Sequence, residues 1–206
     1  MNIKAVVFDY GGVISLSPPP ENETEIGCLC GLPVEKLREL NRKYRNEWDR
    51  GNFRGTGYFR HILSVCGIFP DDETLEKITL ADMEGWKRFN SGTVSLMRSI
   101  KASGLKLGIL SNMPHDFLAW LRQGLPVFGE LDAAVFSCDY NIIKPEEGIY
   151  EKMKERLACE YTEIVFFDDL PDNIEKAREI GIHGFVWESP GAAMEILKGF
   201  NIGITT

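Results

Sequence analysis

The stretch Lys4-Ala-Val-Val-Phe-Asp-Tyr-Gly-Gly-Val-Ile14 decides how the chain is read. Its apolar residues run directly into Asp9, and Gly11 and Gly12 follow. A short apolar run without alternation marks a strand buried on both faces, as in a parallel sheet. Two glycines after it permit a sharp turn with amides left uncovered. An aspartate at the carboxyl end of such a strand stands where open α/β sheets take their ligands. The same residues would also suit a plain strand end and turn, so the rest of the chain has to arbitrate.

Working outward, Ser15-Leu-Ser-Pro-Pro-Pro20 fits neither helix nor central strand and reads as a linker. From Glu21 to about Asn90 the pattern is helical. Leu37, Leu40, Tyr44 and Trp48 form one apolar stripe, and Gly51, Gly55 and Gly57 separate it from a second helix holding Tyr58, Phe59, Ile62 and Leu63. Pro70-Asp-Asp opens a third, through Leu75, Ile78 and Met83. Strands then alternate with helices: Leu105–Leu110, Ala133–Phe136, Glu163–Phe167 and Gly184–Trp187. That alternation predicts an α/β fold, a doubly wound parallel sheet covered on both faces. A small helical domain, residues 15–90, is inserted after the first strand, and residues 1–14 and 91–206 form the core domain.

The 206 residues carry a net charge of -8, and 44% are hydrophobic. This is ordinary for a soluble globular protein and speaks against nucleic acid or an anionic membrane as partner. No apolar run approaches the roughly 20 residues of a membrane span, and no signal peptide is evident, so a cytoplasmic location is expected. The five cysteines are an odd, scattered set and read as reduced thiols; Cys28-x-Cys30 lacks a second ligand pair at metal spacing.

Three strands end in polar residues that one sheet edge would gather: Asp9, Ser111-Asn112 and Asp168-Asp169. Lys144 precedes another helix. Carboxylates about 4 Å apart repel by about 4 kcal/mol per pair at an effective dielectric of 20, so such a cluster calls for a cation, and an all-oxygen set suits Mg²⁺. Ser111, Asn112 and Lys144 would then be donors to phosphate oxygens. Taken singly, Asp-Asp also fits a helix start, Ser-Asn a turn and Lys-Pro a surface loop.

Together, in this order, the four segments resemble the haloacid dehalogenase superfamily of aspartate-nucleophile hydrolases, over nearly the whole chain. Phe8–Ile14 is similar to its first motif, Leu110–Asn112 to the second, Lys144-Pro145 to the third and Phe166–Asn173 to the fourth. The helical insertion sits where a subclass-one cap would be. The resemblance implies Asp9 as nucleophile, forming an aspartyl-phosphate. It implies Mg²⁺ held by Asp9, the backbone carbonyl of Gly11 and Asp169, with Asp168 direct or through water. Ser111 and Lys144 would grip the phosphoryl group, the Gly12 backbone would add to that grip, Asn112 would bind substrate or support it, and Asn173 would support from behind. The substrate would be a small phosphorylated metabolite, with a sugar phosphate as one candidate.

One position departs from the pattern. The family's phosphatases usually carry a second aspartate two residues after the nucleophile, as general acid and base, and this chain has Gly11. Losing such a group costs about 10²–10⁴ in rate. Three readings follow: a phosphatase using a good leaving group or another acid, a vestigial phospho-ligand or partner-binding member, and a 2-haloacid dehalogenase. Glu47, Asp49 and Arg50, at the end of a cap helix, and His115 are the candidate substitutes for the acid.

Overall fold

The computed structural model describes residues 2–203. Five parallel strands form one sheet: β1 (Ala5–Phe8), β2 (Lys106–Ser111), β3 (Ala133–Phe136), β4 (Ile164–Asp168) and β5 (His183–Val186), in the order β3-β2-β1-β4-β5. β1 is therefore central, and the chain leaves it first on one side and later crosses to the other. Alternate residues of its apolar run serve opposite layers. Val6 and Phe8 join one core cluster, and Ala5 and Val7 join the other. A residue run buried on both sides has no polar face to display, which is why β1 shows no alternation in sequence.

On the Val6 side, α5 (Ser91–Ala102), α6 (His115–Gly124) and α10 (Pro190–Gly199) contribute Met97, Ile100, Leu121 and Leu197 to the core. On the other face, α8 (Glu147–Leu157) and α9 (Pro171–Glu179) supply Tyr150, Met153, Ile174 and Ala177. The fold is thus a doubly wound α/β sandwich. Phe8 is in register with Ile109 of β2 and Phe167 of β4, so Asp9 comes level with the ends of both neighbours.

Between β1 and α5 lie four helices: α1 (Pro20–Cys30), α2 (Val34–Asp49), α3 (Gly55–Ser64) and α4 (Asp72–Gly85). They bury Leu37, Leu40, Trp48, Tyr58, Phe59, Ile62 and Leu75 against one another, in a cluster of their own. The sequence predicts only three helices here and assigns Pro20 to the linker. The structure corrects both points. Pro20 is the first residue of α1, a position where its missing N–H costs nothing. α1 buries only Ile26, Gly27 and Cys30, too little to leave an apolar stripe. A one-turn helix, α7 (Ser137–Tyr140), is also absent from the sequence reading.

Two linkers join these helices to the sheet, and they bond to each other. Ser15 and Phe89 form an antiparallel bridge, Leu16 N–H donates to Arg88 O at 2.8 Å, and Asn90 N–H to Ile14 O at 2.8 Å. The end of α2 also meets the sheet layer. Trp48 Nε1 and the Gly55 amide both donate to Asp116 Oδ2, at 3.1 and 3.0 Å, and Arg50 pairs with Glu146. No helix among the described residues is long and apolar enough to cross a membrane.

Candidate active site

Asp9 emerges from β1 with its amide donating to Phe167 O at 2.9 Å, which fixes its position beside β4. The chain then enters a tight loop, Tyr10–Ile14, in which Gly12 has φ 69°. A Cβ at Gly12 would stand 2.8 Å from Asp169 Oδ2. Glycine is thus required there twice, for the left-handed backbone and for the close approach of the loop to Asp169. Gly12→Ala should cost about 1–3 kcal/mol and push Asp169 away from Asp9. A thermal melt and a Mg²⁺ titration of the variant check both effects.

Gly11 is different. Its φ of -65° and ψ of 127° suit any residue, and a Cβ there would meet Trp86 Cζ3 at 3.4 Å. The indole of Trp86, at the end of α4, is thus in ordinary van der Waals reach of a side chain at position 11. Tyr10 holds that residue in place, its hydroxyl donating to Trp86 O at 2.7 Å.

Lys144 is the centre of the charge arrangement. Its Nζ lies 2.8 Å from Asp9 Oδ1 and 2.5 Å from Asp168 Oδ2, and donates to Leu110 O at 2.9 Å. Burial works against the ammonium, but the Asp9 and Asp168 carboxylates outweigh it and hold the group protonated, above its usual range. Burial raises the Asp9 carboxyl to about 7, against the pull of Lys144 and with Asp168 adding to the rise. Although Asp9 Oδ1 is close to the ammonium, it receives no aligned hydrogen bond. The Coulombic pull of Lys144 on it outweighs the hydrogen bonding.

Asp168 is bonded from several sides: by Lys144, by Asn173 Nδ2 at 3.0 and 3.1 Å to its two oxygens, and by the Leu170 amide at 2.9 Å. Asp169, by contrast, is exposed. Asp9, Asp168 and Asp169 present carboxylate oxygens within 4.8 Å of one another. One ammonium against three clustered carboxylates, with a buried Asp9 oxygen unbonded, is a donor set that fits a hard divalent cation.

Ser111, at the end of β2, is buried and lines the same cavity as Asp9. Asn112 has a more particular role than a substrate contact. Its Nδ2 donates to Lys144 O at 3.1 Å and its Oδ1 accepts from Lys144 N–H at 2.8 Å. Both ends of the amide thus grip the Lys144 main chain and aim its side chain. Asn173 likewise orients Asp168.

The cavity is about 400 Å³, and the helical insertion forms much of its wall: Asn41, Arg45, Asn46, Asp49, Asp82 and Trp86. Of these the sequence reading singled out Asp49 alone. Arg45 Nη1 bonds both oxygens of Asp82, at 2.9 and 3.2 Å, and its Nε reaches Asp49 Oδ1 at 3.2 Å. His115 begins α6, lies against Gly51 and does not line the cavity. Glu47 bonds Asn52 on the outside, and Trp48, Tyr58 and Phe59 are core of the inserted helices.

A family model described as a haloacid dehalogenase-like hydrolase matches residues 3–181. The chain belongs to that family. Among curated proteins, mouse acyl-CoA dehydrogenase family member 10 is 34% identical over 96% of this chain, which spans only 19% of that protein. A phosphatase of Mycobacterium tuberculosis is 26% identical, over 93% of this chain and 90% of its own. A family enzyme of Bacteroides thetaiotaomicron, crystallised with magnesium and inorganic phosphate, superposes with a TM-score of 0.72 at 18% identity, over 91% of this chain and 96% of that one. Haloacid dehalogenases also occur among both the relatives and the structures.

Proposed function

We propose that this haloacid dehalogenase-like hydrolase is a Mg²⁺-dependent phosphohydrolase working through transfer of a phosphoryl group to Asp9, with residues 15–90 acting as a helical cap. The observation that carries the reading is the pairing of Asp9 with Lys144 inside a three-carboxylate cluster. Asp9, Asp169 and the Gly11 carbonyl would hold the metal. Asp168, already bonded by Lys144, Asn173 and Leu170 N–H, would take part through water. Bound Mg²⁺ would supply charge neutralisation at the phosphoryl oxygens.

The protein's own groups account for the rest. Asp9 attacks phosphorus as the ester P–O bond breaks, and Lys144 and Ser111 hold the phosphoryl oxygens in line. Lys144 keeps Asp9 oriented, Asn112 keeps Lys144 oriented, and the cap walls exclude water from the first step. Water then attacks the phosphorus of the acyl-phosphate, releasing phosphate and restoring Asp9. The cavity is the size of a small metabolite. Its lining includes the polar Asn41, Asn46 and Asp82 and the aromatic Trp86 and Phe117, a combination suited to a polyhydroxylated group such as a sugar.

A panel of aryl, anomeric and alkyl phosphates, assayed with Mg²⁺ and with EDTA, tests the reading. Turnover with Mg²⁺ that EDTA abolishes is the expected result. Turnover of 2-haloacids without metal would replace it with the dehalogenase reading, for which the Asp168-Asp169 pair offers no use. Binding of phosphate esters without turnover would make the chain a phospho-ligand-binding member.

A further inference from the structure

We infer that Asp49 is the general acid and base of this site, supplied by the helical insertion in place of a side chain at position 11. The inference rests on the phosphohydrolase reading above. Its starting point is Gly11 itself: position 11 has no side chain to carry a proton, so the proton must come from elsewhere in the cavity.

Few acids are available. Apart from the carboxylate cluster at Asp9, the cavity wall holds Asp49 and Asp82. Asp82 has both oxygens on the Arg45 guanidinium. Tyr10 uses its hydroxyl on Trp86 O. Asp49 gives only Oδ1 to Arg45, at 3.2 Å, and Oδ2 is hydrogen-bonded to no group among the described residues. Its side chain keeps 14% of its surface exposed. It is the one cavity-lining acid outside the cluster with an oxygen free to exchange a proton.

Its placement is also held to the phosphate side of the site. Ser137 Oγ–H donates to Asp49 O, while the same oxygen accepts from Met113 N–H at 2.8 Å, in the loop that carries Ser111 and Asn112. Trp48, the preceding residue, is tied to Asp116, and the following residue, Arg50, to Glu146. The last turn of α2 is therefore fixed to the loops that surround the phosphoryl position. Such precision is what proton transfer in a transition state requires.

The charges facing Asp49 come from three elements. Arg45 on its own helix and Lys144 from the core favour its carboxylate, and Asp82 on α4 opposes it. Cys138 of α7 and Tyr58 of α3 are nearby and held neutral by burial. Burial is the largest influence, and the net direction is upward from the usual carboxylate range, toward a group that carries its proton nearer neutral pH. In the first step Asp49 gives that proton to the ester oxygen as the P–O bond breaks and Asp9 takes the phosphoryl group. In the second, the Asp49 carboxylate takes a proton from the water attacking the acyl-phosphate, and the starting state returns.

The test is Asp49→Asn, assayed with p-nitrophenyl phosphate and a simple alkyl phosphate in Mg²⁺. kcat/KM reports the transfer to Asp9, so on the alkyl ester it should fall about 10²–10⁴-fold, because alkoxide departure needs the proton. On the aryl ester kcat/KM should stay within about threefold, while kcat falls and a burst of one nitrophenolate per Asp9 precedes slow turnover. The acid-dependent limb of the pH–rate profile on the alkyl ester should disappear. Should the Asn variant fail to fold, Asp49→Glu, which keeps the acid and moves it by one methylene, should show the same alkyl-selective loss in smaller measure. Equal losses on both esters, or no loss on either, would overturn the assignment. Mg²⁺-dependent wild-type turnover of the aryl ester that requires Asp9 upholds the phosphohydrolase reading in either case. Its absence overturns both.

Discussion

Asp9→Asn is expected to abolish turnover of every phosphate ester, lowering kcat by at least about 10⁴-fold. An amide of the same shape has no free carboxylate oxygen to attack phosphorus, and the neighbouring Asp168 is committed to Lys144, Asn173 and the Leu170 amide. The fold should be retained. Lys144 keeps Asp168 at 2.5 Å and Leu110 O at 2.9 Å, so its ammonium is not orphaned. Burial penalises charge on Asp9, with Asp168 adding to the penalty, so a neutral isostere should leave metal-free stability unchanged or improved. Loss of activity with an equal or higher Tm separates the nucleophile from a residue that merely holds the site together. A variant retaining even about 1% of the wild-type rate would remove Asp9 from the nucleophile role.

The largest expected effect on stability is at Lys144. Lys144→Met leaves Asp9 and Asp168 buried, close together and without their shared cation. Breaking a buried ion pair by removing one partner costs about 3–5 kcal/mol. For a chain of this length that corresponds to a fall in Tm of roughly 6–20 °C. Activity should be lost with it, since under the proposed function the ammonium would also grip the phosphoryl group. The informative measurement is the melt repeated in Mg²⁺. A cation bound at the cluster replaces part of the lost compensation, so Mg²⁺ should raise the Tm of the variant more than that of the wild type. Equal shifts would mean that the cation and Lys144 do not share the same carboxylates.

What the sequence made legible was whatever depended on strand ends. Asp9, Ser111 and Asp168 lie at the carboxyl ends of three apolar runs, and a parallel sheet with β1 in the middle has to bring those ends together. Lys144 could be placed because its motif order matches the family's. The side of the cavity formed by the inserted helices was far less legible. Arg45 and Asp82 are 37 residues apart on separate helices, and periodicity places charged residues of an amphipathic helix in solvent. Nothing local marks these two as a partly buried pair. Trp86 lies just past the end of α4, where a large apolar residue carries no positional signal. Gly11 was noticed as a missing acid, but only the coordinates show the indole that lies beside it. Asn112 was read as a phosphate donor because its type permits that, and its hold on the Lys144 backbone depends on a contact 32 residues away.

Ser137 bridges the sheet layer and the inserted helices. One hydroxyl oxygen accepts from the loop after β2 and donates to the main chain at the tip of α2. If the insertion swings away about its bonded linkers, that hydroxyl loses its acceptor, and the loop beneath loses the group that orients its own partner. Under the proposed function, occupancy of the phosphate position and the swing of the insertion would then be thermodynamically linked. Any factor by which closure tightens the grip on a phosphoryl group must equal the factor by which that group favours closure. An occupied site would draw its own cover down, and release of phosphate would loosen it, with a single serine as the shared element.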